Sequence, residues 1–468
     1  MKTTDIGMIG LGVMGANLAR NMASKGFTVS CYDWSESYRK NFAGKYKEGF
    51  IHAGSLTEFV KSIDRPRKIM MMITAGSPVD SVLKELAPIL DPGDVVIDGG
   101  NSEWEDTQRR IKFCEEKGFL FVGCGVSGGE EGALNGPAMM PGGSVGAWEL
   151  IKPVFEAISA RTPEGVVCVD WIGPGGSGHF VKMVHNGIEY GDMQMICETY
   201  QVMRDGLKMS NVAMSEVFGR WNKGKLDSYL VEITRDILAY ETKDGEQTVD
   251  MILDTAGQKG TGKWTLMAAL DAGEPLPLIG EAVFARCLSA LKEDREKASK
   301  WLAGPKPGLD EEQEDFVEEV KQALYGSKII SYAQGFQLIQ AVSKEQGWNL
   351  DLARLAQLWR GGCIIRSTLL RTIKEAFQRD PDLSNLLLDP LVAETVSEAQ
   401  VHWRNALSCM TRAGIASPSM SSALSYYDGF RTARGSANLL QAQRDYFGAH
   451  TYERIDKPRG EFFHTQWT

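Results

Sequence analysis

"KMVHNGIEYG", residues 182–191, sets a lysine, a histidine, an asparagine, a glutamate and a tyrosine in a run otherwise made of apolar residues and glycine. At roughly 100° per residue on an α-helix, Lys182, His185, Asn186, Glu189 and Tyr190 share one stripe. Phe180, Met183, Val184 and Ile188 cover the rest. A charged stripe on an amphipathic helix ordinarily faces water. Two features point instead to a ligand. Histidine, asparagine and tyrosine bind directionally, and the run is entered through "GPGGSGH" (173–179), whose glycines let backbone approach a ligand closely. The segment by itself leaves a wet surface and an active-site wall both open.

"GLGVMG" (10–15) spaces Gly10, Gly12 and Gly15 as G-x-G-x-x-G, after an apolar run and before a helical stretch (16–25), with a second apolar run ending at Asp33. In that context the motif is the βαβ dinucleotide fingerprint, in which a tight turn admits a pyrophosphate to a helix N-terminus. "GQKGTGKW" (257–264) imitates a phosphate-binding P-loop. Trp264 stands where that motif needs a hydroxyl, and "TVDMILDTA" before it reads as helix rather than strand, so nucleoside-triphosphate hydrolysis is rejected. Lys259 and Lys263 remain candidate anion binders. "GVSGGEEGA" (125–133) offers the N–H groups of Ser127, Gly128 and Gly129, which could cradle a carboxylate or form an ordinary glycine-rich loop. "GGNSEW" (99–104) puts Asn101 at a strand's C-terminal end, where open α/β sheets bind ligands, though turns also favour asparagine. "QAQRDYFGAHTYER" (441–454) gathers Arg444, His450 and Arg454 among aromatics.

These residues need a frame. Apolar runs at 5–10, 28–33, 68–74, 94–100, 120–127 and 166–173, separated by helical stretches, predict a parallel sheet covered on both faces. From about 177, 3.6-residue periodicity takes over (177–205, 212–241, 276–300, 311–346, 350–378), and the polar segment 303–315 reads as an internal connection. The expected organisation is an α/β Rossmann-like dinucleotide-binding domain (1–176), a large all-α substrate and dimerisation domain (177–430), and a C-terminal tail (431–468) that must pack on something else. Residues counted as hydrophobic make up 43% and charged residues 24% of the 468 positions, which suits folded domains with large cores. A net charge of −10 argues against a nucleic-acid surface, while leaving room for a locally basic pocket. Eight cysteines without a C-x-x-C pair, and six histidines without ligand spacing, argue against structural zinc and a disulfide framework. The start lacks a leader-like apolar segment and no run reaches membrane-spanning length, so a cytoplasmic protein free of membrane is expected.

Taken together, "GLGVMGANLA", "DGGNS", "GVSGGEEGA", "VKMVHNGIEYGDMQ", "QKGTGKW", "IGEAVFARCLSALK", "GGCIIRS" and "LLQAQRDYFGAHTY" resemble the decarboxylating 6-phosphogluconate dehydrogenases, in family order and over essentially the whole chain. The resemblance implies oxidative decarboxylation of 6-phosphogluconate to ribulose 5-phosphate and CO₂ in the pentose phosphate pathway, with hydride passed to NAD(P). It implies Lys182 as general base and Glu189 as general acid. Asn101, Ser127, Gly128, Gly129, His185 and Asn186 would then position the sugar acid. Tyr190, Lys259 and Arg286 would hold its phosphate, joined by Arg444 and His450 from the partner subunit of a homodimer. Gly10, Leu11, Gly12, Val13, Met14 and Gly15, with residues 33–35, 74–76 and Asn101, would hold the dinucleotide; no metal is implied. Lys182 and Glu189 stand about 10 Å apart along a helix axis, too far for a direct ion pair and suited to flank a small substrate.

The chain departs from the family in ways that bear on the cofactor. Where relatives read Asn-Arg-Thr it has Asp33, Trp34 and Ser35, and where they carry lysine it has Thr74, before Ala75 and Gly76. Both changes remove a cation near the adenosine ribose, and an acid at Asp33 is the mark of NAD. NAD is therefore expected over the family's usual NADP, unless Asp33 caps the next helix while Arg39 or Lys40 accepts a 2′-phosphate. "GSANLL" (435–440) also departs from the family pattern without explanation. The other function classes are a β-hydroxyacid dehydrogenase for a non-phosphorylated acid, opposed by the cations Lys259, Arg286, Arg444 and His450, and a non-catalytic relative, opposed by an intact Lys182 and Glu189.

Overall fold

The computed structural model describes residues 3–467; positions 1–2 and 468, the extremes of the first and last expected segments, lie outside the described residues. One sheet contains β1 (Ile6–Ile9), β2 (Val29–Tyr32), β3 (Phe50–His52), β4 (Lys68–Met71), β5 (Val95–Asp98), β6 (Leu120–Ser127), β7 (Ala138–Gly143) and β8 (Gly173–Pro174), in the order β3-β2-β1-β4-β5-β6-β7-β8. Strands β1 to β6 pair in parallel, with Ile6 opposite Val29 and Met70 opposite Ile97. Their buried apolar runs serve two cores, one around Leu18, Met22 and Phe155 and one around Phe59, Leu83 and Phe121. Between β1 and β4 the strand order reverses, and the C-terminal edge there is where such sheets take ligands.

The sheet is not wholly parallel. β7 runs antiparallel to β6, from Ser127 opposite Ala138 to Val122 opposite Gly143. The connection between them, residues 128–137, is shorter than the dozen or so residues a parallel crossover needs. β7 escapes the sequence pattern because "AMMPGG" reads as turn chemistry, and β3 because it is a three-residue edge strand. The run 166–173 is not one strand. It contributes isolated bridges at Val167 and Val169, and only Gly173 reaches β8.

From Ser177 the chain is helical up to a terminal pairing of Tyr452–Glu453 with Phe462–Phe463. Three of the stretches with 3.6-residue periodicity are each two helices. They are Asn211–Trp221 and Tyr229–Ala239, Pro277–Ser289 and Lys292–Trp301, and Leu352–Leu358 and Leu369–Arg379. Both halves of each keep helical periodicity, so the pattern runs across breaks such as Gly224 or Gly361–Gly362 without marking them. Ahead of the 257–264 loop only Thr248–Met251 is helical. The 25-residue Ser177–Gln201 helix lies at the centre, against β6 and β7 on one side and the Thr261–Ala272, Pro277–Ser289 and Gln313–Gln346 helices on others. Among the described residues no helix is long and apolar enough to cross a membrane.

Candidate active site

Two glycines seat the central helix. β6 reads "LFVGCGVS", so Gly123 and Gly125 point to the same face. A methyl group on Gly123 would come within 2.6 Å of His179 Nδ1, and one on Gly125 would overlap Lys182 Cβ. Their absence lets the helix lie directly on the strand, and Lys182 is fixed against β6 as a result. His179, fully buried, ties the same turn to the Trp104–Glu116 helix through Thr107 Oγ1 at 2.6 Å and to β5 through the Asp98 carbonyl at 3.1 Å.

The stripe is buried, not wet. Lys182 is 5% exposed and His185 0%. His185 stands between the two charged groups: its Nδ1 lies 3.5 Å from Lys182 Nζ and 3.9 Å from Glu189 Oε2, and its Nε2 lies 3.3 Å from Ser127 Oγ. Asn186 Nδ2 donates to Glu189 Oε2 at 3.0 Å, while its buried Oδ1 has no partner. Burial pulls Lys182 below the ordinary lysine value, against the support of Glu189 and the Cys363 thiol. Burial lifts Glu189, against Lys182, Arg286 and Asn186. His185 is held well below the usual histidine range by burial and by Lys182. An amine inclined to be neutral and a carboxyl inclined to be protonated thus share one helix face, and such a pair can take a proton at one end and deliver one at the other.

Ser127 ends β6, and Gly128 and Gly129 follow with φ of 115° and 63°, left-handed conformations suited to glycine. A side chain on Gly128 would also strike the Gly362 carbonyl. Asn101, exposed, leaves a turn fixed by Asp98, whose carboxylate accepts from Gly100 N and Ser102 Oγ.

At the far end of the stripe the Arg286 guanidinium stacks on the Tyr190 ring at 3.4 Å and donates to the Gly257 carbonyl. Lys259 is exposed in the loop leading to the Thr261–Ala272 helix, whose first turn holds no acid. Arg444 and His450 are not brought here within one chain. Both are exposed on the tail, and among the described residues no hydrogen bond, ion pair or ring contact joins them to Tyr190, Lys259 or Arg286. The tail is internally built: buried Asp445 accepts from Thr451 N, His464 Nδ1, Thr465 N and Trp467 Nε1. Desolvation opposes its charge, yet these donors hold its carboxyl well below the usual range.

The dinucleotide motif has three glycines with three reasons. Gly10 has φ of 90° and would clash with the Met72 carbonyl, Gly15 would clash with the Gly10 carbonyl, and Gly12 faces open space at the N-terminus of the Val13–Ser24 helix. That first turn also lacks an acid, which suits a pyrophosphate. Leu11 is buried, Val13 exposed and Met14 half-buried beside it. Asp33 accepts from Leu11 N and Ser35 N, both at 2.8 Å, so its carboxylate organises the loop. Trp34 is 42% exposed and Thr74 is exposed, with Ala75 and Gly76 half-buried. Arg39 donates to the carbonyls of Asp33 and Trp34, which puts a cation at this edge. Among the described residues no group of three His, Cys, Asp or Glu could hold a metal.

The model of the NAD-binding domain of 6-phosphogluconate dehydrogenase matches residues 5–173, and that of its C-terminal domain matches residues 178–467. The chain belongs to the 6-phosphogluconate dehydrogenase family. Similar 6-phosphogluconate dehydrogenases, decarboxylating, include that of Rattus norvegicus, 53% identical over 100% of this chain and 97% of the relative. One from Saccharomyces cerevisiae is 52% identical, again over 100% of this chain and 97% of the relative. A solved 6-phosphogluconate dehydrogenase of Plasmodium falciparum, described in complex with its cofactor NADP⁺ and with its substrate 6-phosphogluconate, superposes with a TM-score of 0.93 at 42% identity, covering 99% of this chain and 100% of that one.

Sequence spacing misses the seat formed by Gly123 and Gly125, because its partner lies on another element. It also gives no role to Trp359, Cys363 and the Gly361–Ser367 segment, which back the stripe through a His185–Trp359 ring contact and an Ile364 N to Ser127 Oγ bond.

Proposed function

We propose that this chain oxidises and decarboxylates 6-phosphogluconate to ribulose 5-phosphate, with the family's chemistry carried by Lys182 and Glu189. The observation that carries this reading is the buried Lys182–His185–Glu189 array, with a lowered amine and a raised carboxyl. A nicotinamide dinucleotide, bound at the 10–15 turn and Asp33, supplies the hydride acceptor. Neutral Lys182 takes the proton of the C3 hydroxyl as that carbon is oxidised. The 3-keto acid loses CO₂, and Glu189 delivers a proton to C1 of the enediol. Asn186, with an unpartnered buried Oδ1, accepts from a sugar hydroxyl, and His185, Asn101 and Ser127–Gly129 hold hydroxyls and carboxylate. Tyr190, Lys259 and Arg286 take the phosphate.

The same reading extends to a homodimer in which Arg444 and His450 complete a neighbour's phosphate site. Support comes from their exposure and from the apolar surface around them, including Leu439, Leu440, Tyr446 and Phe447. The working division is 1–176, 177–430 and 431–468, and eight unpaired cysteines suit a reducing compartment such as the cytoplasm.

For the cofactor, NAD is proposed over NADP. A 2′-phosphate beside Asp33 would meet a carboxylate, a repulsion of roughly 4 kcal/mol per pair of unit charges at 4 Å and an effective dielectric of 20, less where water screens it. Trp34 offers a stacking face without charge and Thr74 no cation. The second reading, NADP held by Arg39, rests on its guanidinium at the Asp33 and Trp34 carbonyls. Purified protein with 6-phosphogluconate and either dinucleotide, followed at the nicotinamide absorbance, tests both. Turnover with kcat/KM at least about tenfold higher for NAD is expected. NADP preference at the same salt overturns the cofactor reading, and absence of turnover with both overturns the function.

A further inference from the structure

Behind the stripe lies a polar cluster that the chemistry above does not use. Asp192, one turn beyond Glu189, forms a buried ion pair with Lys328 of the Gln313–Gln346 helix. Tyr332, one turn after Lys328 and fully buried, has its hydroxyl 3.3 Å from Asp192 Oδ2 and donates to the Ile365 carbonyl at 3.0 Å. Ile365 belongs to the Gly361–Ser367 loop between the Leu352–Leu358 and Leu369–Arg379 helices. The opposite side of that loop meets the reacting groups. Ile364 N donates to Ser127 Oγ at 3.4 Å, the Gly362 carbonyl accepts from Ala138 N and abuts Gly128, and the Cys363 thiol lies in the field of Lys182.

A buried ion pair is weak evidence of stabilisation, since apolar residues of the same volume often do as well. Retaining one beside a catalytic stripe calls for another role. We propose that Asp192, Lys328 and Tyr332 form a buried positioning triad that holds the Gly361–Ser367 loop against Ser127 and Lys182. Lys328 fixes Asp192, and the single Tyr332 hydroxyl proton is shared between the Asp192 carboxylate and the Ile365 carbonyl, which ties the loop to the ion pair at one carbonyl. The loop then sets Ser127 Oγ, and through it the imidazole of His185 between base and acid. None of the three touches substrate; they act through the loop.

This inference rests on the proposed roles of Ser127 and Lys182, and its test separates the two. Tyr332→Phe keeps the ring and removes the clamp. With 6-phosphogluconate, kcat/KM is expected to fall on the order of tenfold to a hundredfold through both kcat and KM, with dinucleotide affinity unchanged. Combined with Ser127→Ala, the two losses should be less than additive, because both substitutions release the same loop. Amides of residues 361–367 should exchange faster with deuterium in Tyr332→Phe. If that variant does not fold, the pair Asp192→Asn with Lys328→Met, which removes both charges at similar volume, carries the same expectations. A merely structural role would lower thermal stability while leaving kcat, KM and loop exchange at wild-type values, and that result overturns the triad. Additive losses do so as well. Should wild-type protein fail to turn over 6-phosphogluconate, the proposed function falls, and loop exchange still decides whether the triad clamps the loop.

Discussion

At the scale of single residues, the proposed chemistry turns on two groups displaced toward their neutral forms by burial. Burial lowers Lys182 and raises Glu189 while the charge of each opposes the other's shift, so their titrations belong to the pair. Reaction needs a neutral amine and, later, a protonated carboxyl. The wild-type kcat/KM is therefore expected to be bell-shaped in pH. In Glu189→Gln the acid is gone, costing on the order of 10²–10⁴ in rate. The remaining activity should rise with pH through the pKa of Lys182 and then level, with no falling limb. A full bell in that variant would remove Glu189 from the acid's role. The stripe was legible in the sequence because helical spacing alone aligns positions 182, 185, 186, 189 and 190. Whether it faced water was not, since that depends on β6 and on residues more than fifty positions away.

At the scale of elements, position comes from what is missing. Without side chains at 123 and 125, β6 and the Ser177–Gln201 helix pack in direct contact, and this contact aims the lysine. Gly125→Ala is expected to push helix and strand apart, destabilising by about 1–3 kcal/mol. A shift of Lys182 by about 1 Å would cost on the order of a hundredfold in kcat/KM. Gly44→Ala, on a helix with nothing within 4 Å of the added methyl, serves as control and should leave both kinetics and thermal midpoint near wild type. Equal behaviour of the two variants would contradict the seat. The dinucleotide turn was readable because its spacing is local: Gly10 answers to the adjoining Met72 carbonyl, Gly15 to the Gly10 carbonyl, and Gly12 leaves open space at the helix N-terminus. The Gly123/Gly125 seat was not, since glycines in a strand look like weak strand formers until the partner helix is known. β7 was hidden for the same reason, with Pro141 and two glycines inside a paired strand.

At the scale of the whole molecule, the stripe is incomplete at the end proposed to take the phosphate. Arg286 stacks on Tyr190 at one end of it and Lys259 is exposed on the adjoining loop, while Arg444 and His450 stay on an exposed tail stiffened by Asp445. The sequence showed these two residues as basic groups among aromatics, and the proposed role across a homodimer came from the family resemblance alone. Mixing Lys182→Ala with Arg444→Ala subunits should restore partial activity, since one site of each heterodimer would keep both residues; no recovery, with exchange of subunits confirmed, would count against a shared site. The account as a whole depends on one amine. Lys182→Arg keeps the charge but cannot release its proton at working pH. The decisive measurement is turnover of 6-phosphogluconate by this variant, alongside its binding: the account predicts retained binding with turnover abolished, and substantial turnover would contradict it.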